Sequence, residues 1–275
     1  MALITITSSF GSGGEKVAGK VSEQLGAELF DGGKIQEKAL SMGISKKNLG
    51  GLDEKAPGLF DRLFTNNPSI YLDLLGSIVY DIASGGEGVI MGHAAQVFLK
   101  DFSCAFHVRI HASEESRSQW VAKEQGMNES ESLELIRKMD KRFKDFVHYG
   151  FTRDWNDLSG YDLVVNLDKI GGDWAVKLIL DLSGSEEVRE CSLNSLEKME
   201  LSSLKLKVDA AIIKNGLASQ FGFFIDVTGK GKVRLWGSAR NSEEHKKLLT
   251  VIKNVPGVTE VQSDIFVMPH GYQGY

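Results

Sequence analysis

Hydrophobic positions along the chain alternate between two periods. Residues 3–7 form a short β-rich run, the glycine-rich stretch Phe10-Gly11-Ser12-Gly13-Gly14 interrupts it, and Val17, Val21 and Leu25 then recur at helical spacing. The pattern predicts a strand, a glycine loop and a helix. Further short apolar runs at 88–91, 105–110 and 163–167 read as strands. The stretches 33–42, 69–83, 113–124, 129–146 and 174–182 repeat apolar residues every three or four positions and read as helices. Strands alternating with helices predict a parallel sheet with helices on both faces.

Beyond residue 184 the pattern changes. Residues 185–202 begin with Ser185-Glu186-Glu187, polar and acidic after a glycine, and are expected to form an inter-domain linker. A helix is expected from about Ser203 to Asn215-Gly216, then strands at 223–227 and 233–236 around the turn Thr228-Gly229-Lys230-Gly231. Asn241 with Glu244 reads as a helix cap, and 258–267 as a last strand. The expected organisation is a domain over 1–184, an α-β-β-α-β unit over 203–268 and a tail over 269–275, whose His270, Tyr272 and Tyr275 show no ligand spacing. On this reading a chain of residues 1–184 should fold alone.

Composition adds limits. Of 275 residues, 42% are hydrophobic and 25% charged, which fits a folded globular chain. With 32 Lys and Arg against 37 Asp and Glu the net charge is −5, so no basic footprint for nucleic acid is present. Cys104 and Cys191 stand far apart without a C-x-x-C partner, which predicts neither a disulfide framework nor a zinc site and suits a reduced cytoplasmic setting. The first residues lack a basic leader region, and no apolar run approaches 18 residues, so neither secretion nor a membrane span is expected.

A glycine turn between a strand and a helix makes a nest of backbone N–H groups at the positive end of the helix, a natural phosphate site. The alternative is a tight turn that binds nothing. The string Gly14-Glu15-Lys16-Val17-Ala18-Gly19-Lys20 satisfies G-x-x-x-x-G-K, but Val21 takes the place of the magnesium-binding hydroxyl, and Lys20 falls more than a turn inside the helix. With Gly11 and Gly13 as the loop glycines, the P-loop lysine position falls on Gly14 and the magnesium hydroxyl position on Lys16. Backbone phosphate binding survives that loss, whereas phosphoryl transfer does not follow from it.

Residues 4–14 (ITITSSFGSGG), Phe30-Asp31, Val89-Ile90-Met91-Gly92, Asp140-Lys141, and Asp154-Trp155 with Tyr161-Asp162-Leu163, in that order, resemble the cytidylate kinase-like family over roughly residues 1–182. The resemblance implies a P-loop kinase-type sheet with a mobile lid and ATP-dependent phosphoryl transfer to CMP or a related monophosphate, with Mg2+ accompanying ATP. The second unit resembles a BON domain over roughly 203–268, through Val233-Arg234-Leu235-Trp236-Gly237 and Val255-Pro256-Gly257-Val258. That resemblance implies a binding role, with a protein or lipid ligand.

Gly11, Ser12, Gly13 and Gly14 are the expected phosphate-binding residues, and no resident metal site is expected. The family tends to have arginine where this chain has Glu15, Ser8, His93 and Phe143. The remaining cations assigned to catalysis are Lys16, Arg117 and Arg142; each has the alternative of a solvated lid charge. Asp31, His93 and Arg153 are the expected acceptor-binding residues, although Asp31 also fits a helix N-cap and His93 a structural role. Trp155 could stack on a base or pack in the core. Two functions stay open: a cytidylate kinase-like transferase, and a catalytically silent nucleotide-sensing protein that communicates with the BON-like unit.

Overall fold

The computed structural model describes residues 2–42, 68–188, 190–217 and 222–268. The expected tail 269–275 lies outside them. Among the described residues the first unit runs β1 (Leu3–Ser8), α1 (Gly14–Leu25), β2 (Leu29–Phe30), α2 (Gly32–Ser41), α3 (Pro68–Ala83), β3 (Gly88–Met91), α4 (Ala95–Phe98), β4 (Ala105–His111), α5 (Glu114–Gln125), α6 (Glu129–Phe151), β5 (Leu163–Asn166), α7 (Leu167–Ile170) and α8 (Gly172–Ser183).

The five strands are parallel in the order β2-β3-β1-β4-β5. Each face of the sheet has its own core. Ile4, Ile6 and Val108 pack with Val17 and Val21 of α1 and Ile179 of α8, while Leu3 and Ile90 pack with Ile35 of α2 and Leu75 and Ile78 of α3. The second face is also polar in the middle: Thr5 shares a 2.8 Å hydrogen bond with His107, and Thr7 donates to Gln96 at 3.0 Å. Parallel strands direct the loops after β1, β2 and β3 to one edge, which is where a ligand is expected on such a sheet.

The second unit consists of α9 (Leu193–Lys214), β6 (Phe223–Gly229), β7 (Lys232–Ala239), α10 (Ser242–Lys253) and β8 (Glu260–Val267). Its sheet has the order β6-β7-β8, antiparallel then parallel. Val208 and Ile212 of α9 and Leu248 and Ile252 of α10 bury one face. The opposite face carries Phe224, exposed and stacked on Trp236 at 5.7 Å.

Two expectations are overturned here. Helix α9 begins ten residues before Ser203, because Ser192 caps it by accepting from the Ser195 N–H, so the expected linker 185–202 is helical from Leu193. Ser185-Glu186-Glu187 precede this helix, whereas the polar residues from Asn194 to Lys198 lie on its first turns, ahead of the buried Met199. Met199 is fully buried in the core of the first unit, and the Ser203 hydroxyl donates to Ser77 O at 2.8 Å. The absence of a side chain at Gly76 allows this approach, since a Cβ there would lie 2.6 Å from Phe98 and 2.7 Å from Leu206. Asp81 of α3 holds Lys38 at 2.8 Å and Lys207 of α9 at 3.3 Å. In addition, Cys104 and Cys191, expected to be unpaired, form a disulfide across 87 residues. Sequence distance hid the pair because the fold returns the chain to the start of β4 just before α9.

The same helix pair contains an unfavourable charge. Burial, and then the neighbouring Asp209 carboxylate, push the Asp73 pKa up to about 6, against the pull of Lys205. An acid whose folded pKa exceeds its unfolded value binds more protons when folded, so its contribution is favourable below about pH 4 and is lost as pH rises through 6. Asp73→Asn is therefore expected to stabilise the protein at pH 7 by roughly 1 kcal/mol after allowance for solvent screening, and to change little at pH 4. Urea unfolding at the two pH values measures the difference.

Candidate functional site

The loop between β1 and α1 is shaped by its glycines. Gly11 and Gly13 have φ of 78° and 83°, which a side chain would strain. A Cβ on Gly11 would also lie 2.7 Å from Val121, so the loop rests against α5. A Cβ on Gly13 would meet nothing within 4 Å, which leaves the backbone open on that side. Gly14 begins α1, and a Cβ there would overlap Ser8 Cβ. The position expected for the P-loop lysine is thus closed to any side chain while Ser8 is present.

The expected cations separate. Lys16 is exposed; it pairs with Glu124 at 3.0 Å and lies 5.1 Å from the centre of the Trp120 ring. Lys20 pairs with Asp173, also at the surface. Arg117 is 5% exposed and fully engaged: it makes a bidentate pair with Asp140 at 3.0 and 2.9 Å, and donates to Phe10 O and Ala112 O at 3.1 Å each. It fixes the outer arm of the glycine loop rather than offering a free guanidinium. Arg142 is half-buried on α6 with Nη1 3.9 Å from the Met139 sulfur, and Arg153 is half-buried beside a small surface recess containing Asp154 and Asp157.

A cleft of about 430 Å³ opens at the ends of the strands. Ser8, Phe10 and Glu15 border it on the loop side, Asp31 and His93 on another, and Phe143 and Trp155 across from them. Asp31 is there as a helix cap, accepting from the Lys34 N–H at 3.0 Å, so the two readings of this residue are compatible. His93 is 2% exposed with φ 58°, and its Nδ1 donates to Met91 O at 3.0 Å. Phe143 and Trp155 stack at 5.4 Å with an interplanar angle of 13°, which combines the packing and planar-slot readings of Trp155.

One group escaped the sequence reading. Arg109 lies inside β4, where the apolar run was read only as a buried strand. It is 6% exposed, with Nη2 3.3 Å from Ser9 Oγ and its guanidinium 4.0 Å from the centre of Trp155. Burial pulls its pKa below the usual arginine value, although a guanidinium remains charged. Arg109 Nη1 and the Ser12 hydroxyl are buried polar atoms without a hydrogen-bond partner. A charged residue in an otherwise apolar strand was the available signal. As for a metal, the motif places the magnesium-binding hydroxyl directly after the lysine, so with the lysine position at Gly14 it falls on Glu15 and not, as expected, on Lys16, and a carboxylate stands there. The loop does not fit that ion in the usual P-loop manner.

A parallel sheet in this order, with a glycine loop leading into the first long helix and a cleft above the strand ends, defines a P-loop kinase-type domain. The chain belongs to the cytidylate kinase-like family, whose profile matches residues 3–169, and residues 201–269 match the BON domain. A cytidylate kinase from Pyrobaculum aerophilum is 26% identical over 186 residues, covering 66% of this chain and 92% of its own. One from Methanothrix thermoacetophila is 29% identical over 169 residues, covering 60% and 87%. The crystal structure of an uncharacterized protein from Eubacterium ventriosum shares the fold, with a TM-score of 0.51 and 23% identity over 66% of this chain and 97% of that one. Among the described residues no helix is long and apolar enough to cross a membrane.

Proposed function

We propose that this protein binds a nucleotide through the backbone N–H groups of Gly11–Gly14 and has lost efficient phosphoryl transfer. The observation that carries the reading is the steric exclusion of a side chain at Gly14 by Ser8, together with the turning of Lys16 to Glu124. A backbone nest needs no lysine to hold phosphate, but charge developing in the transition state needs a cation or metal nearby. Nucleotide occupancy is then communicated to the BON-like unit through α9, which packs against both cores. A protein or lipid ligand of that unit would sit on the exposed Phe224 and Trp236 face. We place the protein in the cytoplasm, with its nucleotides, where the Cys104–Cys191 bond is an exception to the usual reduced state.

A second reading, ATP-dependent phosphorylation of CMP or a related monophosphate with Mg2+ arriving on ATP, is favoured by the kinase relatives and by the planar Phe143–Trp155 wall of the cleft. Calorimetric titration of loop variants tests the shared binding step. Gly13→Val is expected to weaken ATP binding at least tenfold by filling the open backbone face, while Lys20→Ala leaves affinity within about twofold, since a surface ion pair contributes little. A large loss from Lys20→Ala with stability intact would transfer the phosphate site to the other lysine.

A further inference from the structure

Behind the outer arm of the glycine loop lie two guanidiniums and one carboxylate. Asp140 acts on both arginines, but its two oxygens are taken by Arg117 in the bidentate pair. Arg109 is left with a contact to Ser9 Oγ, the neighbouring Tyr161 hydroxyl, the ring of Trp155 at 4.0 Å, that of Tyr161 at 5.9 Å, and an Nη1 without a partner. Buried cations are costly unless paired, and a buried donor left unpartnered adds to the cost. A residue that only filled space here would do better as methionine or leucine. The cost is explained if the charge has a second partner that is not part of the protein.

The surroundings specify that partner. Ser9 lies between Ser8 and Phe10, which line the cleft, and Trp155, which covers the guanidinium, also lines it. An aromatic ring holds a guanidinium by a cation–π contact while the site is empty, and yields it to a stronger acceptor. Planar guanidinium donors match a phosphate oxyanion in charge and geometry.

We propose that Arg109 is the phosphate-binding cation of this site, concealed under Trp155, and that it anchors a bound phosphate from β4. The inference rests on the nucleotide-binding reading and deepens it. Trp155 moves aside as Arg109 Nη1 donates to a phosphate oxygen, and no bond is made or broken.

The test compares wild type, Arg109→Met and Arg109→Lys by calorimetric titration with ATP, inorganic pyrophosphate and adenosine, alongside thermal melts. Arg109→Met is expected to weaken ATP and pyrophosphate at least tenfold, to leave adenosine within twofold, and to keep or raise the melting temperature because an unpaired buried charge is removed. Arg109→Lys restores part of the affinity for ATP. ATP affinity unchanged in a folded Arg109→Met overturns this inference and leaves the nucleotide-binding reading standing. Failure of Arg109→Met to fold, or equal weakening of ATP and adenosine, makes the charge structural and also overturns it. If wild type takes up no ATP at all, both readings fall.

Discussion

A chain ending at Gly184 is expected to lose cooperative unfolding, or to melt at least 10 °C below the full protein, although residues 1–184 contain the whole five-stranded sheet. Helix α9 belongs to both cores. Its Met199 fills a position in the first core, and truncating a buried methionine alone costs about 2–5 kcal/mol. The cut also removes the Ser203–Ser77 bond, the Lys207–Asp81 pair and the Cys191 half of the disulfide. Closing a loop of 87 residues is worth up to about 4–5 kcal/mol on the chain-entropy account. These losses are comparable with the roughly 5–15 kcal/mol that holds a typical domain folded. A chain ending at Leu217 retains α9 and should melt cooperatively. Circular dichroism melts of the two truncations decide between a shared helix and a passive linker; equal melting temperatures for the 1–184 chain and the full protein would favour the linker.

Restoring the P-loop side chains is expected to create activity only when the space for them is restored as well. Gly14→Lys with Glu15→Thr places an ammonium and a magnesium hydroxyl at the two adjacent P-loop positions, but the new Cβ at residue 14 overlaps Ser8, so this double variant should distort the loop and weaken ATP binding. Adding Ser8→Gly removes the overlap. The triple variant is expected to bind ATP and to gain Mg2+-dependent ATP turnover at least tenfold over wild type. The gain stays below that of a complete kinase, because His93 and Phe143 contribute no arginine charge to the cleft. A folded, ATP-binding triple variant with no gain in a coupled assay would place the catalytic defect elsewhere.

The sheet was legible because its strands are short apolar runs between helical periods, and local pattern is enough for that. The observed β1, β3, β4 and β5 lie within a residue of expectation, and Asn128 with Glu131 caps α6 through local contacts. The beginning of α9 was not legible, since residues buried on two sides of a helix, with charges between them, do not show a single apolar stripe. The site divided along the same line. The glycine loop announced itself because conformational need is local: positive φ at Gly11 and Gly13 calls for glycine. Arg117 could be identified but not its task, because Asp140 reaches it only through the packing of α5 on α6. Arg109 depends on Ser9 from the loop after β1 and on Trp155 and Tyr161 from the connection between α6 and β5, and nothing in the spacing of those residues foretells their meeting.

Phosphate held without efficient transfer is the property we propose for this site. It is tested most directly by titrating ATP with Mg2+ into the wild-type full chain by calorimetry, and then adding CMP and following turnover on the same sample. Saturable ATP binding followed by turnover far below the enzyme median of about 10 s⁻¹ is expected. Turnover at or above that rate would contradict the proposal, by showing that other residues supply the transition-state charge that Gly14 and Glu15 do not.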